Sequence, residues 1–161
     1  MKETIDLYFC LSQKVVKLSD GFVEKYRINL EEAIGVHYRG NDKQADVETP
    51  SLTEFISQTR HLMQQMTNPK NLLVTDEPAV AIGFEAAFPK AVITINELET
   101  PGSSLGAYIL DSKEPEAQGQ IFLAILSLVS KCKKVVTHTG NGALWEVLFR
   151  GSTDGLNQVR T

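Results

Sequence analysis

The sequence has few cysteines and no long apolar run, and these absences exclude several classes of protein. Two cysteines, Cys10 and Cys132, occur in 161 residues, too few for a disulfide framework or a cysteine-based metal cluster. No apolar stretch reaches the roughly 18 residues that a transmembrane helix needs. The residues that follow Met1 lack the apolar segment of a signal peptide. We therefore expect a reduced, cytoplasmic protein without a membrane span, in which both cysteines serve packing.

Several catalytic signatures are also missing. Gly140-Asn141-Gly142 is followed by Trp145 where a dinucleotide-binding G-x-G-x-x-G motif has its third glycine, and no P-loop G-K-[ST] occurs. A serine-hydrolase G-x-S-x-G is absent too. The three histidines, His37, His61 and His138, lack the spacing of metal ligands. The sequence therefore disfavours dinucleotide, P-loop and serine-hydrolase chemistry, and it predicts no metal site.

The composition is that of a globular domain. Hydrophobic residues make up 42% and charged residues 22% of the chain, and the formal net charge is −4. This charge argues against a protein built to bind nucleic acid or an anionic membrane. The length predicts a single domain over residues 1–161. Its N-terminal segment, about residues 1–30, is predicted to form one helix or two, with Ser19-Asp20-Gly21 as a candidate break or cap.

Short apolar runs alternate with amphipathic segments in the rest of the chain. The runs predict strands at Ile34–His37, Asn71–Asp76, Ala91–Ile95 and Val135–Thr139. Helices are predicted after Ser51, after Glu77, over 121–129 and over 143–149, and a long loop over 96–116. This alternation is typical of an α/β fold, a Rossmann-like parallel sheet with helices on its faces.

Polar residues follow three of the predicted strands, and the carboxyl ends of parallel strands meet at one edge, where α/β proteins bind ligands. These exits are His37–Lys43, Asp76-Glu77 and Thr137–Gly142. Arg39 offers a planar fork of donors for phosphate or carboxylate. Gly140–Gly142 lead into a helix N-terminus, which favours anions. For the first exit, a polar loop with a surface Arg–Asp pair has about half the weight on composition alone. For Gly140–Gly142, a plain turn has at least as much weight as an anion site.

The order of these motifs resembles that of a known enzyme family. I-G-V-H-Y-R-G-N-D-K, then L-L-V-T-D-E-P, then V-V-T-H-T-G-N-G-A-L-W resemble the C-terminal, nucleotide-sugar-binding half of fucosyltransferases. Core α-1,6-fucosyltransferases and bacterial nodulation fucosyltransferases are the nearest in pattern, and protein O-fucosyltransferases are more distant. The resemblance covers roughly residues 30–150.

The resemblance implies half of a GT-B glycosyltransferase that inverts the anomeric centre, needs no metal or other cofactor, and uses GDP-fucose as its donor. It implies that Arg39 is the catalytic residue and binds the diphosphate, that His37 contacts the nucleotide or its phosphates, and that Gly40, Asp42 and Lys43 shape the loop. Further donor-binding residues are implied at the other two strand ends: Asp76, Glu77, Thr139, Gly140, Asn141 and Gly142.

Two features depart from the family pattern. Ala124 stands where the family often has an aspartate that recognises guanine, and the acceptor-binding half of a GT-B enzyme has no counterpart here. A second domain or chain would supply that half, and the acceptor, a glycan or a protein, is not identified. Three hypotheses follow: a donor-binding domain of a transferase, a non-catalytic nucleotide-sugar-binding module, and, ranked last, a scaffold without a ligand.

Overall fold

A computed structural model describes residues 9–40, 50–98 and 114–160. Asp42, Lys43 and most of the predicted 96–116 loop lie outside these ranges. The described helices are α1 (Gln13–Tyr26), α2 (Leu52–Met63), α3 (Pro78–Ala87), α4 (Pro115–Lys131) and α5 (Asn141–Arg150). The described strands are β1 (Ala33–Tyr38), β2 (Lys70–Thr75), β3 (Val92–Thr94), β4 (Lys134–Thr137) and β5 (Leu156–Gln158).

The strands form one parallel sheet in the order β3-β2-β1-β4-β5. β1 lies at its centre, where Val36 is in register with Leu73 of β2 and Val136 of β4. The strand order reverses between β1 and β4, which is the topological switch point of such a sheet. The predicted α/β, Rossmann-like fold is confirmed.

Both faces of the sheet are covered, so β1 is buried along its whole length. Ile34 and Val36 face a core that includes Phe55 of α2 and Phe84 of α3. Ala33 faces the opposite core, which α1 and α4 supply. A strand buried on both faces reads as a continuous apolar run, which is why β1 could be recognised from the sequence.

Helix α4 is the most deeply buried helix of the described residues. Residues 124–130 are all buried, because α4 packs against α1, α5 and the sheet. The apolar run over residues 121–129 predicted a buried helix here. No helix within the described ranges is long and apolar enough to cross a bilayer.

Helix α2 begins where its sequence signal lies. The Ser51 hydroxyl accepts a hydrogen bond from the Glu54 N–H at 3.3 Å, and the Glu54 carboxylate accepts one from the Ser51 N–H at 2.6 Å. This capping box satisfies two backbone donors that a helix start otherwise leaves unpaired.

The structure decides one open alternative and corrects two local predictions. Helix α1 runs unbroken through Ser19-Asp20-Gly21, because its packing against α4 outweighs the cost of a helical glycine, about 1 kcal/mol. Helix α5 begins at Asn141, two residues before the predicted start. Cys10 is exposed, whereas Cys132 is buried as expected. Strand β5 was not predicted, because its three residues carry no apolar pattern and it forms by pairing with β4.

Candidate functional site

The candidate site lies at the switch point, between the carboxyl ends of β1 and β4. A small cleft opens there, and its walls come from the β1 exit and from the turn that joins β4 to α5. Its lining residues are His37, Arg39, Thr137, His138, Thr139, Gly140, Asn141, Gly142 and Ala143. Two of the three predicted strand exits therefore meet in one place.

The first turn of α5 forms one wall of the cleft. Gly140 is the N-cap residue and provides no side-chain cap. The Leu144 N–H donates to the Gly140 carbonyl at 3.2 Å, and the N–H groups before it have no carbonyl partner within the helix. Such a helix N-terminus favours an anion through these donors and through the helix dipole.

His37 lies at the base of the cleft and is held by a residue from α5. Its Nδ1 lies 2.6 Å from Oε1 of Glu146, whose side chain is fully buried. The Phe122 ring meets the imidazole edge-on, with 6.3 Å between ring centroids. The backbone at Gly142 lies so close that a Cβ there would overlap the ring. The imidazole is therefore packed against three residues, Glu146, Phe122 and Gly142.

His138 positions the backbone that leaves β1. Its Nε2 accepts a hydrogen bond from the Arg39 N–H at 3.2 Å, and its ring packs among Tyr38 and Phe55. Burial, and then the neighbouring His37, lower the pKa of His138 below its usual value. The ring is therefore neutral near pH 7, as an acceptor at Nε2 requires.

Arg39 lies close to an acidic residue, Asp76, that directly follows β2. Its Nε lies 3.9 Å from Oδ2 of Asp76, and the two side chains are 28% and 4% exposed. A guanidinium carries five N–H donors, so it can hold an anionic ligand while it is oriented by a carboxylate. Asp76 thus links the second predicted exit to the first.

Glu77 lies beside the turn at Gly40. A Cβ at Gly40 would overlap Oε1 of Glu77, so the glycine permits this close approach. Burial, and then the charge of Asp76, raise the pKa of the Glu77 carboxyl. Glu77 also borders a cavity of about 400 Å³ at the ends of β2 and β3, a volume typical of small-molecule sites.

The structure brings nine of the eleven predicted site residues to one edge of the sheet. They are His37, Arg39, Gly40, Asp76, Glu77, Thr139, Gly140, Asn141 and Gly142. Asp42 and Lys43 lie outside the described residues. Ala124 is fully buried in the apolar core of α4 and offers no polar group to a ligand. The ligand-binding and catalytic roles of these residues stay predictions.

Sequence reasoning missed Glu146. The signal was present, since one acid stands in the apolar run Ala143-Leu144-Trp145-Glu146-Val147-Leu148-Phe149. The run fits an ordinary packing helix, and 109 residues separate Glu146 from His37. No local pattern connects two residues at that distance.

Comparison with known proteins gives matches in structure. No protein-family model matches the sequence, and no curated protein matches it either. Structures of the NodZ α-1,6-fucosyltransferase match with a TM-score of 0.58, one co-crystallised with GDP and one soaked with GDP-fucose. The chain shares their fold.

The match covers most of this chain but under half of those enzymes. It spans 87% and 92% of the present chain, and 41% and 47% of the two NodZ chains. Sequence identity is 18% and 19%. The fold resemblance expected from the three motifs is confirmed, and the activity and substrates of the whole enzymes enter below as proposals.

Proposed function

We propose that this chain is the donor-binding domain of an inverting, metal-independent glycosyltransferase of the fucosyltransferase type, with GDP-fucose as its donor. The observation that carries the proposal is the cleft in which Arg39 and the N-terminus of α5 flank the switch point. The shared fold supports the choice of ligand, since the matching NodZ structures were obtained with GDP and GDP-fucose.

The site offers what the departure of a nucleoside diphosphate requires. As the bond between sugar and phosphate breaks, negative charge grows on the leaving diphosphate. Fixed donors aimed at that charge lower the barrier. The Arg39 guanidinium, held by Asp76, and the backbone N–H groups at the start of α5 are such donors. Arg39 is therefore the residue that we assign to catalysis.

The acceptor site would come from a second domain or another chain. The matched NodZ chains are more than twice as long as the part that this chain covers, and the acceptor is a glycan or a protein. A non-catalytic nucleotide-sugar-binding module is the second candidate. It is favoured by the buried Ala124, which presents no acid to guanine.

Calorimetric titration of GDP, UDP, ADP and GDP-fucose into the purified chain tests the proposal. We expect GDP and GDP-fucose to bind and UDP and ADP to bind more weakly. If UDP or ADP bound more tightly than GDP, the proposed site would stand, but the donor would be a sugar linked to that nucleotide. Absence of binding by all four would overturn the proposal for this chain.

Arg39→Ala should weaken GDP binding about 10- to 100-fold, because hydrogen bonds to charged groups contribute about 1.5–3 kcal/mol. The matched control is Arg60→Ala, which removes an exposed arginine from the last turn of α2, away from the cleft. It should leave the affinity unchanged. Equal affinities for a folded Arg39→Ala variant and the unmodified chain would refute the role of Arg39.

The metal independence has its own test. We expect the same GDP affinity with millimolar Mg²⁺ and with a chelator, because Arg39 and the α5 N-terminus supply the positive potential at the phosphates. An affinity that rises more than about tenfold with Mg²⁺ would contradict this expectation, because screening by added ions weakens the attraction between a cationic site and GDP. A metal site would then have to be added to the proposal.

A further inference from the structure

Glu146 is a buried carboxylate inside the otherwise apolar run 143–149 of α5. Its side chain is fully buried, and Oε2 has no hydrogen-bond partner among the residues that the structure describes. Burial of a carboxylate costs free energy that a well-packed apolar residue of similar size would avoid. Packing alone therefore does not account for Glu146, and its contact with His37 is the feature that needs a role.

The contact decides which ring nitrogen of His37 carries the proton. When the Glu146 carboxylate is ionised it can only accept hydrogen bonds, and Nδ1 is then the donor in the 2.6 Å contact with Oε1. Phe122 and the backbone at Gly142 pack against the ring in this orientation. In the neutral ring, Nε2 is then an acceptor, and the side chain lines the cleft beside Arg39.

An acceptor at Nε2 is the wrong partner for a phosphate oxygen, which is itself an acceptor. The groups of a nucleotide that suit it are the hydroxyls of the ribose or sugar and the N–H groups of the base. Phosphate oxygens instead suit Arg39 and the first turn of α5, whose groups are all donors.

We propose that Glu146 is a positioning residue that holds the proton of His37 on Nδ1, so that Nε2 accepts a hydrogen bond from an N–H or O–H group of the bound nucleotide. The identity of the ligand rests on the proposed function, whereas the placement of the proton does not. In the cleft, His37 then accepts a hydrogen bond from the nucleotide, whereas Arg39 and the first turn of α5 donate hydrogen bonds to the phosphates.

The placement of the proton is measured on the free chain by long-range ¹H–¹⁵N spectra of the histidine rings, followed from pH 6 to 9. We expect the neutral His37 ring to be the Nδ1–H form. In Glu146→Leu the Nε2–H form, the usual one for a free imidazole, should appear. Glu146→Gln retains an acceptor oxygen and should preserve the Nδ1–H form.

Matched controls identify the signals. His37→Gln removes the His37 resonances, and exposed His61 serves as the internal reference ring. Glu85→Gln removes an exposed carboxylate from α3 and should change nothing. A wild-type His37 ring protonated on Nε2 would overturn the proposal even if Glu146→Leu failed to fold. An unchanged tautomer in a folded Glu146→Leu variant would overturn it as well.

Binding measurements test whether Glu146 and His37 act on the nucleoside part of the ligand and not on its phosphates. Glu146→Leu should weaken GDP binding about tenfold, as for loss of one hydrogen bond, and should leave the affinity for inorganic pyrophosphate within about twofold. Glu146→Gln should bind GDP nearly as well as the unmodified chain. Equal losses for GDP and pyrophosphate would overturn the proposal. If the unmodified chain binds no nucleotide, the proposed function fails, and the tautomer alone decides the role of Glu146.

Discussion

Gly142 and Gly140 stand two residues apart at the start of α5, in very different surroundings. A Cβ at Gly142 would overlap the His37 ring, whereas a Cβ at Gly140 would meet no atom of the described part of the chain within 4 Å. Gly140 also has an extended backbone, with φ 167°, which any residue can adopt. The close approach of α5 to β1 therefore depends on Gly142.

We predict that Gly142→Ala lowers the free energy of unfolding by about 1–3 kcal/mol, the usual cost of overpacking. It should also weaken GDP binding, because the His37 ring must move. Gly140→Ala is the matched control and should change stability by less than about 0.5 kcal/mol. Urea denaturation and calorimetry measure both effects. Similar values for the two variants would contradict the packing described for Gly142.

His138 gives the fold a defined dependence on pH. Because the pKa of His138 is lowered on folding, the unfolded chain takes up the proton first as the pH falls below about 6.5. The contribution of His138 to the free energy of unfolding is therefore complete above pH 6.5 and decreases below it, until the pH passes the pKa in the folded chain.

We predict that His138→Gln loses less stability between pH 7 and pH 5 than the unmodified chain does. The Gln side chain does not titrate, and its amide oxygen can accept the hydrogen bond from the Arg39 N–H. The measurement is urea denaturation at several pH values. Parallel stability curves for the two proteins would show that His138 is not responsible for the acid sensitivity.

At the scale of elements, one side chain connects the end of α5 to its neighbours. The Arg150 guanidinium donates to the carbonyls of Ser130, Cys132 and Asp154 at 2.6–2.8 Å and to that of Lys133 at 3.3 Å. These carbonyls belong to the end of α4, to the segment before β4 and to the turn before β5. Arg150 therefore connects α5 to the end of α4 and to the segments before β4 and β5, at the edge of the sheet opposite the cleft.

Arg150→Ala should lower the free energy of unfolding by about 2–4 kcal/mol, because several carbonyls lose a charged donor. Arg60→Ala, which removes an exposed arginine stacked on Phe88, should cost about 1 kcal/mol or less. GDP affinity should be unchanged in a folded Arg150→Ala variant, because the residue lies away from the cleft. Equal losses of stability in the two variants would refute the structural role of Arg150.

At the scale of the whole molecule, the function that we propose uses the described edge for one partner of a transfer reaction, the donor. In an inverting substitution the acceptor attacks the sugar from the side opposite the diphosphate. The residues that we assign at the cleft serve the diphosphate and the nucleotide, and none of them is assigned to activate an acceptor. The chain covers less than half of the NodZ enzymes whose fold it shares.

We therefore predict that the isolated 161-residue chain binds GDP-fucose without turning it over. A coupled assay for released GDP, with and without candidate glycan acceptors, should give no signal above the rate of uncatalysed hydrolysis. Calorimetric binding in the same preparation is the control for an intact site. Acceptor-dependent release of GDP would mean that this chain carries the acceptor site as well.

The sequence by itself determined strands β1 to β4 and most of the residues at their carboxyl ends. The run around Val36, buried on both faces, and the capping box at Ser51 are local signals that need no distant partner. Polar residues that follow such strands had to meet once the strands were parallel, which is why Arg39, Asp76 and Thr139 could be placed together.

Only the tertiary structure decided what depends on contacts between distant segments. Strand β5 forms by pairing with β4, helix α1 passes Gly21 unbroken because it packs against α4, and Glu146 meets His37 across the cleft. Each of these features is stabilised by a partner that is remote in the chain. The local sequence around it is therefore not sufficient to predict it. The physical reason is that local patterns record propensity and periodicity, whereas long-range contacts decide which of several allowed local structures is stable.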